Sequence, residues 1–266
     1  METTLILGYT GALFIGLILG LAGGGGSILT VPLLVYLLGY NPVVATAYSL
    51  FVVGASSVAG VWQKYREGLV VFKTGLFFSF PSFVAVYASR RFLVPAIPDT
   101  LFSVGALPVT KEMALMLFFA LIMVFAAYAM IRPEQVGDRE TAKKTSYPFI
   151  FVQGLIIGTI TGIIGAGGGF LYVPALVLWT HLPMKKAVGT SLVIVSINSL
   201  IGFTGDLQKM EIEWPFLLTF TAITMIGILL GGMLSRHVSD KGLKKGFGWL
   251  ILAMSVYILI RELTGS

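Results

Sequence analysis

The sequence predicts an all-α integral membrane protein made of two inverted repeats, each a glycine-broken, re-entrant helix pair followed by about three transmembrane helices. Three observations lead to this prediction. The chain is too apolar for a water-soluble fold, two glycine-rich segments repeat at a fixed distance, and the positive charges gather in alternate loops. The first observation identifies lipid as the solvent, the second shows the duplication, and the third orients the two halves.

Composition points to the lipid bilayer as the main partner of the chain. Of the 266 residues, 56% are hydrophobic and 11% are charged, and the mean hydropathy is +0.92. A soluble domain has about a quarter charged residues and cannot hide this much apolar surface. The eighteen Lys and Arg lie between apolar runs and form no basic face with aromatic residues, so nucleic acid is not an expected partner.

Six apolar stretches are long enough for a membrane span, which needs about 20 residues. Charged segments separate them, and the longest of these divides the chain into a first repeat at 1–131, a polar connection at 132–148 and a second repeat at 149–266. The six stretches are residues 43–62, 74–90, 113–131, 186–204, 214–234 and 247–260.

Two further apolar regions, residues 4–38 and 149–180, are each too long for one crossing and too short for two. Gly23–Gly26 interrupt the first and Gly165–Gly169 the second. Each region is therefore predicted to be a helix, a break at membrane depth and a half-length helix.

The two regions are copies of each other at a constant offset of 142 residues. The offset superimposes most glycines of the two runs, places Pro32 on Pro174, and continues without a gap to place Ser49 on Ser191. Such internal repeats are typical of secondary transporters.

The distribution of positive charge favours inverted repeats. If each broken segment returns to the side from which it starts, thirteen Lys and Arg lie on one side and five on the other. The positive-inside rule assigns the thirteen to the cytoplasm and both termini to the outside. A parallel arrangement weakens this contrast, to nine against nine if Lys185 and Lys186 also change sides.

The glycine breaks are the predicted substrate site. Broken helices at membrane depth occur where protein or a water-filled cavity satisfies the backbone, and two breaks in corresponding positions indicate a binding site between the halves. Half-helices starting near Ser27 and Phe170 would present free N–H groups and positive dipole ends, which suit a small anion. Close helix packing is the alternative reason for the glycines, and it is the preferred one for the lone pair Gly227 and Gly231.

Polar residues on the next helix of each half are expected to face this site. Ser49 and Ser56 are two helical turns apart, and Ser191 and Asn198 repeat that spacing. A hydroxyl that bonds its own i−4 carbonyl is the simpler alternative. The candidate substrate-binding residues are Gly23, Gly24, Gly25, Gly26, Ser27, Ser49, Ser56, Gly165, Ala166, Gly167, Gly168, Gly169, Ser191 and Asn198.

No carboxylate lies in the middle of a span, which argues against a cation carrier. Asp206 and Gln63 fall at helix ends, where a solvated loop position is the expected one and a role in a gate is the alternative. The sequence has no cysteine and two histidines, so it predicts no catalytic residue, metal site or cofactor, and no membrane-embedded enzyme.

The duplicated motifs resemble those of the TauE/SafE sulfite exporter family. The similarity rests on GLAGGGGSILTVPLL at 20–34, GIIGAGGGFLYVPAL at 162–176, ATAYSL at 45–50 and VGTSLVIVSINSLIG at 188–202. It implies transport of sulfite or an organosulfonate such as sulfoacetate across the bacterial cytoplasmic membrane, with the duplicated glycine and serine positions as substrate contacts.

The leading hypothesis is a secondary carrier for a small sulfur-containing anion that works by alternating access. A proton or sodium gradient would drive it, because the chain has no GxxxxGK[ST] nucleotide-binding motif. The alternatives are a passive anion channel and a permease for another small solute or a metal ion. The GxxxG-like faces allow packing within one chain or between two, so a homodimer is also left open.

Overall fold

The computed structural model describes residues 2–104, 107–131, 147–164, 169–207 and 210–264. Most of these residues are helical, and six helices are long and apolar enough to cross a membrane. The prediction of an all-α membrane protein is therefore confirmed.

Apolar helices separated by turn residues make up the first half of the chain. Asn41 caps the N-terminus of the third helix: its side chain accepts a hydrogen bond from the Val43 N–H at 2.9 Å, and Pro42 occupies the first turn. The elements are α1 (Glu2–Ala22), α2 (Gly25–Pro32) with a π-helical continuation (Leu33–Leu37), α3 (Pro42–Arg66), α4 (Phe72–Ala88) with a π-helical continuation (Ser89–Leu93), α5 (Val94–Ala96), β1 (Thr100–Val104), β2 (Leu107–Thr110) and α6 (Lys111–Ile131).

The second half repeats this order with fewer interruptions. Its elements are α7 (Tyr147–Ile164), α8 (Gly169–Trp179), α9 (Met184–Thr204), α10 (Trp214–Ser235) and α11 (Asp240–Thr264).

The chain doubles back between α1 and the end of the π-helical segment. A Cβ added at Gly8, near the start of α1, would lie 2.9 Å from the Leu38 side chain. Deeper in the hairpin, a Cβ at Gly26 would overlap the Ile15 carbonyl. Both ends of this segment thus lie at the same end of the bundle, as a re-entrant segment requires.

Helices α3 and α9 form the centre of the molecule. Buried residues make up 67% of the α3 span and 72% of the α9 span, against at most 44% in the other candidate spans. The two helices run antiparallel, since Gly54 contacts Leu200 while Gly189, earlier in α9, contacts Lys64, later in α3.

Two parallel helix pairs flank this centre. Glycines let the backbones of α1 and α10 approach closely: a Cβ at Gly16 would lie 2.9 Å from the Gly227 Cα, and one at Gly20 would lie 3.0 Å from the Gly231 carbonyl carbon. The pair α7 and α4 packs in the same way, with Gly158 against Ser82. The packing role expected for Gly227 and Gly231 is confirmed, and it is satisfied within one chain.

Two boundaries differ from the sequence-based expectation. The segment between the predicted spans 74–90 and 113–131, in which three prolines predict a loop, continues the α4 helix to Ala96 and then forms the antiparallel β1–β2 hairpin. The half-helix α2 begins at Gly25, so Gly25, Gly26 and Ser27 belong to its first turn instead of preceding it.

Candidate functional site

A sharp turn at Gly23 and Gly24 separates α1 from α2. Gly23 has a φ of +72°, a left-handed conformation that glycine adopts without strain. Its N–H donates to the Leu19 carbonyl at 2.8 Å, which closes the last turn of α1. The chain can then reverse its direction within two residues.

The turn meets the start of α8 directly. A Cβ added at Gly24 would overlap the carbonyl group of Gly169, and one at Gly169 would overlap the Gly24 Cα. The N-terminal ends of the two half-helices are therefore brought together by backbone contact between the halves. Any side chain at Gly24 would separate them.

Ser191 on α9 holds the turn in place. Its hydroxyl contacts the carbonyl oxygens of Gly23 at 3.0 Å and Val188 at 2.8 Å. Since a hydroxyl has one proton, these two carbonyls share a single donor. Ser191 thus contacts the backbone of the candidate site.

Ser49, the equivalent of Ser191 in the first repeat, is fully buried, and its hydroxyl has no hydrogen-bond partner in the described part of the chain. By the 142-residue offset, the residue equivalent to Gly23, the partner of Ser191, is Gly165, which lies outside the described residues. Buried hydroxyls are rarely left unpaired. Among the candidate side chains that the structure describes, Ser49 is therefore the one whose hydroxyl has no partner.

Asn198 belongs to a separate polar cluster. Its Nδ2 donates to the Ser82 hydroxyl and to the Tyr172 hydroxyl, each at 2.8 Å, and the two hydroxyls lie 2.9 Å apart. The cluster is buried among α4, α8 and α9, and the Asn198 Oδ1 has no partner among the described residues. Ser82 and Tyr172 were not predicted, because their contact with Asn198 spans 116 and 26 residues of sequence.

The remaining candidates have different placements. The Ser56 hydroxyl donates to the Val52 carbonyl of its own helix, and Gly26 packs on α1. Gly25 and Ser27 lie in the first turn of α2. The predicted positions Gly165, Ala166, Gly167 and Gly168 lie outside the described residues.

Asp206 corrects one expectation from the sequence. It is 4% exposed and pairs with the fully buried Arg90, so it does not occupy a solvated loop. Lys64, near the end of α3, is 2% exposed. A helix-end position in the sequence cannot reveal such burial, because the covering residues come from the other repeat.

An apolar groove of about 320 Å³ lies away from the glycine turn, on the outer face of α1, α2 and α11. Phe14, Leu33 and Tyr257 are among the residues that line it. It faces the region that lipid would occupy, and it contains none of the candidate substrate-binding residues. The described residues contain no cluster of three or more His, Asp or Glu side chains suited to a metal ion.

Six membrane-length helices around a buried, uncharged turn define a polytopic membrane transport protein. The profile of the family described as Sulfite exporter TauE/SafE matches residues 9–258, and the chain belongs to this family. It is thus a multi-pass transporter of the bacterial cytoplasmic membrane and not an enzyme. Family membership implies a small anionic substrate.

Several relatives carry the name "Probable membrane transporter protein". One from Xylella fastidiosa (strain 9a5c) is 28% identical over 254 residues, covering 93% of this chain and 92% of its own length. YunE from Bacillus subtilis (strain 168) is 28% identical over 247 residues, covering 85% and 88%. One from Haemophilus influenzae is 24% identical over 270 residues, covering 92% and 94%. No solved structure matches the chain.

Proposed function

We propose that this protein is a secondary carrier for sulfite or an organosulfonate such as sulfoacetate, and that it works by alternating access. The anion would bind at mid-membrane between the two glycine-rich breaks. The observation that carries the proposal is the contact of Gly24 with Gly169, because it places the N-terminal ends of α2 and α8 together. Family membership supplies the substrate class.

The chemistry of the turn suits an oxyanion better than a cation. Helix N-termini offer backbone N–H donors and a positive dipole end. The Ser49 hydroxyl, equivalent to that of Ser191 at the turn, is neutral and would donate to an anion without carrying a charge of its own. Glycine lets the anion approach the backbone because no Cβ stands in the way.

Alternating access would follow from two inverted repeats that rock about the turn. Three relations support the inverted arrangement: α3 and α9 run antiparallel, α10 runs parallel to α1, and α4 runs parallel to α7. These directions are the ones expected of inverted repeats, in which each helix of the first repeat would point opposite to its counterpart in the second. A proton or sodium gradient would supply the energy.

A passive anion channel would use the same turn but needs a continuous water-filled path. The backbone contact between Gly24 and Gly169 and the buried charges at both ends of the bundle favour a carrier over a channel. A carrier also saturates at moderate substrate concentration, so the two functions can be separated by measurement.

The test is charge movement on a solid-supported membrane with the protein in liposomes. Sulfite, sulfoacetate, thiosulfate, sulfate and chloride would be compared in the wild-type protein, in Gly24→Ala and in a matched control, Gly246→Ala. Gly246 lies on α11 with no atom within 4 Å of an added Cβ, so the control changes the same residue type in open space.

We expect a saturable current for one sulfur anion in the wild-type protein and in Gly246→Ala, and at least a tenfold lower current in Gly24→Ala. Electroneutral exchange would give no current and would be measured by uptake of isotope-labelled sulfite. A protein that moves none of the sulfur anions in either assay would contradict the proposed substrate. A current that does not saturate would favour the channel.

A further inference from the structure

Charged side chains are buried at both ends of the bundle. Arg90 and Asp206 lie at one end, here named the Asp206 end, and Lys64 lies at the other, the Lys64 end. Helix α3 rises about 27 Å from Thr46, which contacts Arg90, to Lys64. The two groups are therefore separated by most of the thickness of a membrane.

At the Asp206 end, one contact joins the two repeats. Arg90 Nε donates to Asp206 Oδ2 at 2.7 Å, and its Nη2 lies 2.6 Å from the same oxygen. Its Nη1 donates to the Thr46 hydroxyl at 3.1 Å. Arg90 follows α4 of the first repeat, whereas Asp206 follows α9 of the second.

A second contact joins the repeats at the Lys64 end. The Lys64 ammonium group donates to the Ser235 hydroxyl at 2.6 Å, to the Gly232 carbonyl at 3.2 Å and to Glu67 Oε2 at 3.0 Å. The other oxygen of Glu67 accepts from Arg236 Nε at 2.9 Å. Lys64 and Glu67 thus fasten the end of α3 to the end of α10.

The two contacts occupy equivalent positions. The 142-residue offset that aligns the glycine runs also places Lys64 on Asp206 and Arg90 on Gly232. At one end, Lys64 near the end of α3 meets Ser235 at the end of α10. At the other end, Asp206 just after α9 meets Arg90 just after α4. The two repeats thus form a contact at the same position but with different side chains.

Buried ion pairs suit contacts that must open. The cost of removing two charges from water largely cancels their attraction, so such a pair adds little net stability. When the end opens, water solvates both groups again, which an apolar contact in the same place would not permit. The closed and open arrangements can then lie close in free energy, as a two-state element requires.

We propose that these contacts are the two gates of the transport path. Arg90 with Asp206 closes one end, and Lys64 with Glu67 and Ser235 closes the other. Substrate would reach the glycine turn from one side when the gate at that end separates while the opposite gate stays closed. This inference rests on the proposed alternating access.

The chain contains no cysteine, so a single introduced thiol reports access without a background. Ser57→Cys is the reporter, because Ser57 lies on α3 between the two ends and is fully buried. A membrane-impermeant thiol reagent would be added to right-side-out and to inside-out vesicles. Asp206→Asn weakens one gate and Lys64→Met the other.

We expect Asp206→Asn to raise the labelling rate at least fivefold from the Asp206 end and to leave labelling from the Lys64 end unchanged. Lys64→Met should do the reverse. The matched control at the Asp206 end is Glu262→Gln, the same loss of a carboxylate charge, in a residue that bonds Tyr36 on the outer face. The exposed Lys186→Met is the control at the Lys64 end.

An equal rise in the labelling rate from both ends in either gate variant would indicate general loosening and would overturn the proposed gates. An unchanged labelling rate in both gate variants would overturn them as well. If a single variant fails to fold, Arg90→Met with Asp206→Leu replaces the pair by apolar side chains that pack in the same space. This double variant should fold, keep the Asp206 end closed to the reagent and lose transport. Retained transport would contradict the gate.

Labelling is measured without substrate, so it separates this inference from the proposed function. One-sided labelling in a protein that moves no sulfur anion would keep the gates and reject the substrate. Saturable sulfite transport with unchanged labelling would keep the substrate and reject the gates.

Discussion

Ser49 and Ser191 occupy equivalent positions in the two repeats but use their hydroxyls differently. Ser191 contacts the Gly23 carbonyl, whereas the buried Ser49 hydroxyl has no partner among the described residues. A buried hydroxyl with a satisfied carbonyl contributes to stability, and an unpaired one costs free energy. A binding role for Ser49 would give its unpaired hydroxyl a partner in the transported anion.

This difference predicts different effects when each serine is replaced by alanine. Ser191→Ala leaves the Gly23 carbonyl without its side-chain donor and should lower the free energy of unfolding by about 1–3 kcal/mol. Ser49→Ala removes no hydrogen bond to a described residue, so it should leave thermal stability unchanged or slightly higher while raising the KM for the transported anion. Thermal unfolding in detergent and concentration-dependent uptake would measure the two effects.

Two results would contradict this prediction. If Ser49→Ala lowers the unfolding temperature as much as Ser191→Ala does, then Ser49 has a structural partner and no free donor for an anion. An unchanged KM in a stable Ser49→Ala protein would remove it from the site.

At the scale of single residues, sequence reasoning identified the positions better than their partners. The glycine at position 24 and the serine at 191 were predicted from the duplication, and both lie at the turn. The contacts of Asn198 with Tyr172 and of Asp206 with Arg90 were not predicted. Each of these contacts joins helices that are distant in sequence, and composition and spacing carry no information about such pairs.

At the scale of helices, glycine has two separate roles in this chain. Gly23 and Gly24 form the turn, whereas Gly227 and Gly231 let α10 pack backbone to backbone against α1. In lipid, helix association depends on such close packing because there is no hydrophobic driving force between helices. The α1–α10 contact should therefore be sensitive to side-chain size.

Gly231→Leu tests this sensitivity. An added Cβ would overlap the Leu17 carbonyl of α1, a backbone atom that cannot rotate away, so we expect a loss of about 1–3 kcal/mol in stability or a failure to assemble. Gly246→Leu makes the same change in open space on α11 and should have no effect on the unfolding temperature in detergent. Equal destabilisation by both substitutions would show that the α1–α10 contact is not the reason for the loss of stability.

Hydropathy predicted the long helices well and the irregular elements poorly. Spans such as 186–204 agree with α9 (Met184–Thr204) to within a few residues, because a run of about 20 apolar residues has few other structures available in lipid. The π-helical segment Ser89–Leu93 and the β1–β2 hairpin were missed. Three prolines between Arg90 and Lys111 read as a loop signal, and tertiary packing decides how such a segment folds.

For the molecule as a whole, the two ends of the bundle differ in charge. At one end, Glu67 bonds both Lys64 and Arg236, and Lys185 donates to the Arg236 carbonyl. This is the end to which the sequence analysis assigned most of the Lys and Arg. The positive-inside rule places this end in the cytoplasm. We therefore expect both the start of α1 and the end of α11 outside, since Tyr36, close to the end of the α1–α2 hairpin, bonds Glu262 near the end of α11.

Inverted repeats make a prediction about sidedness that parallel repeats do not share. Arg66→Cys places a single thiol at the last residue of α3, and Glu211→Cys places one in the connection between α9 and α10, the corresponding end of the third helix in the second repeat; both residues are exposed. In inverted repeats a membrane-impermeant thiol reagent should label Arg66→Cys from the cytoplasm and Glu211→Cys from outside. Lys245→Cys and Thr264→Cys, near the two ends of α11, calibrate the sides and should label from the cytoplasm and from outside. If the first two thiols react from the same side, the repeats are parallel, and alternating access by rocking about the glycine turn loses its structural basis.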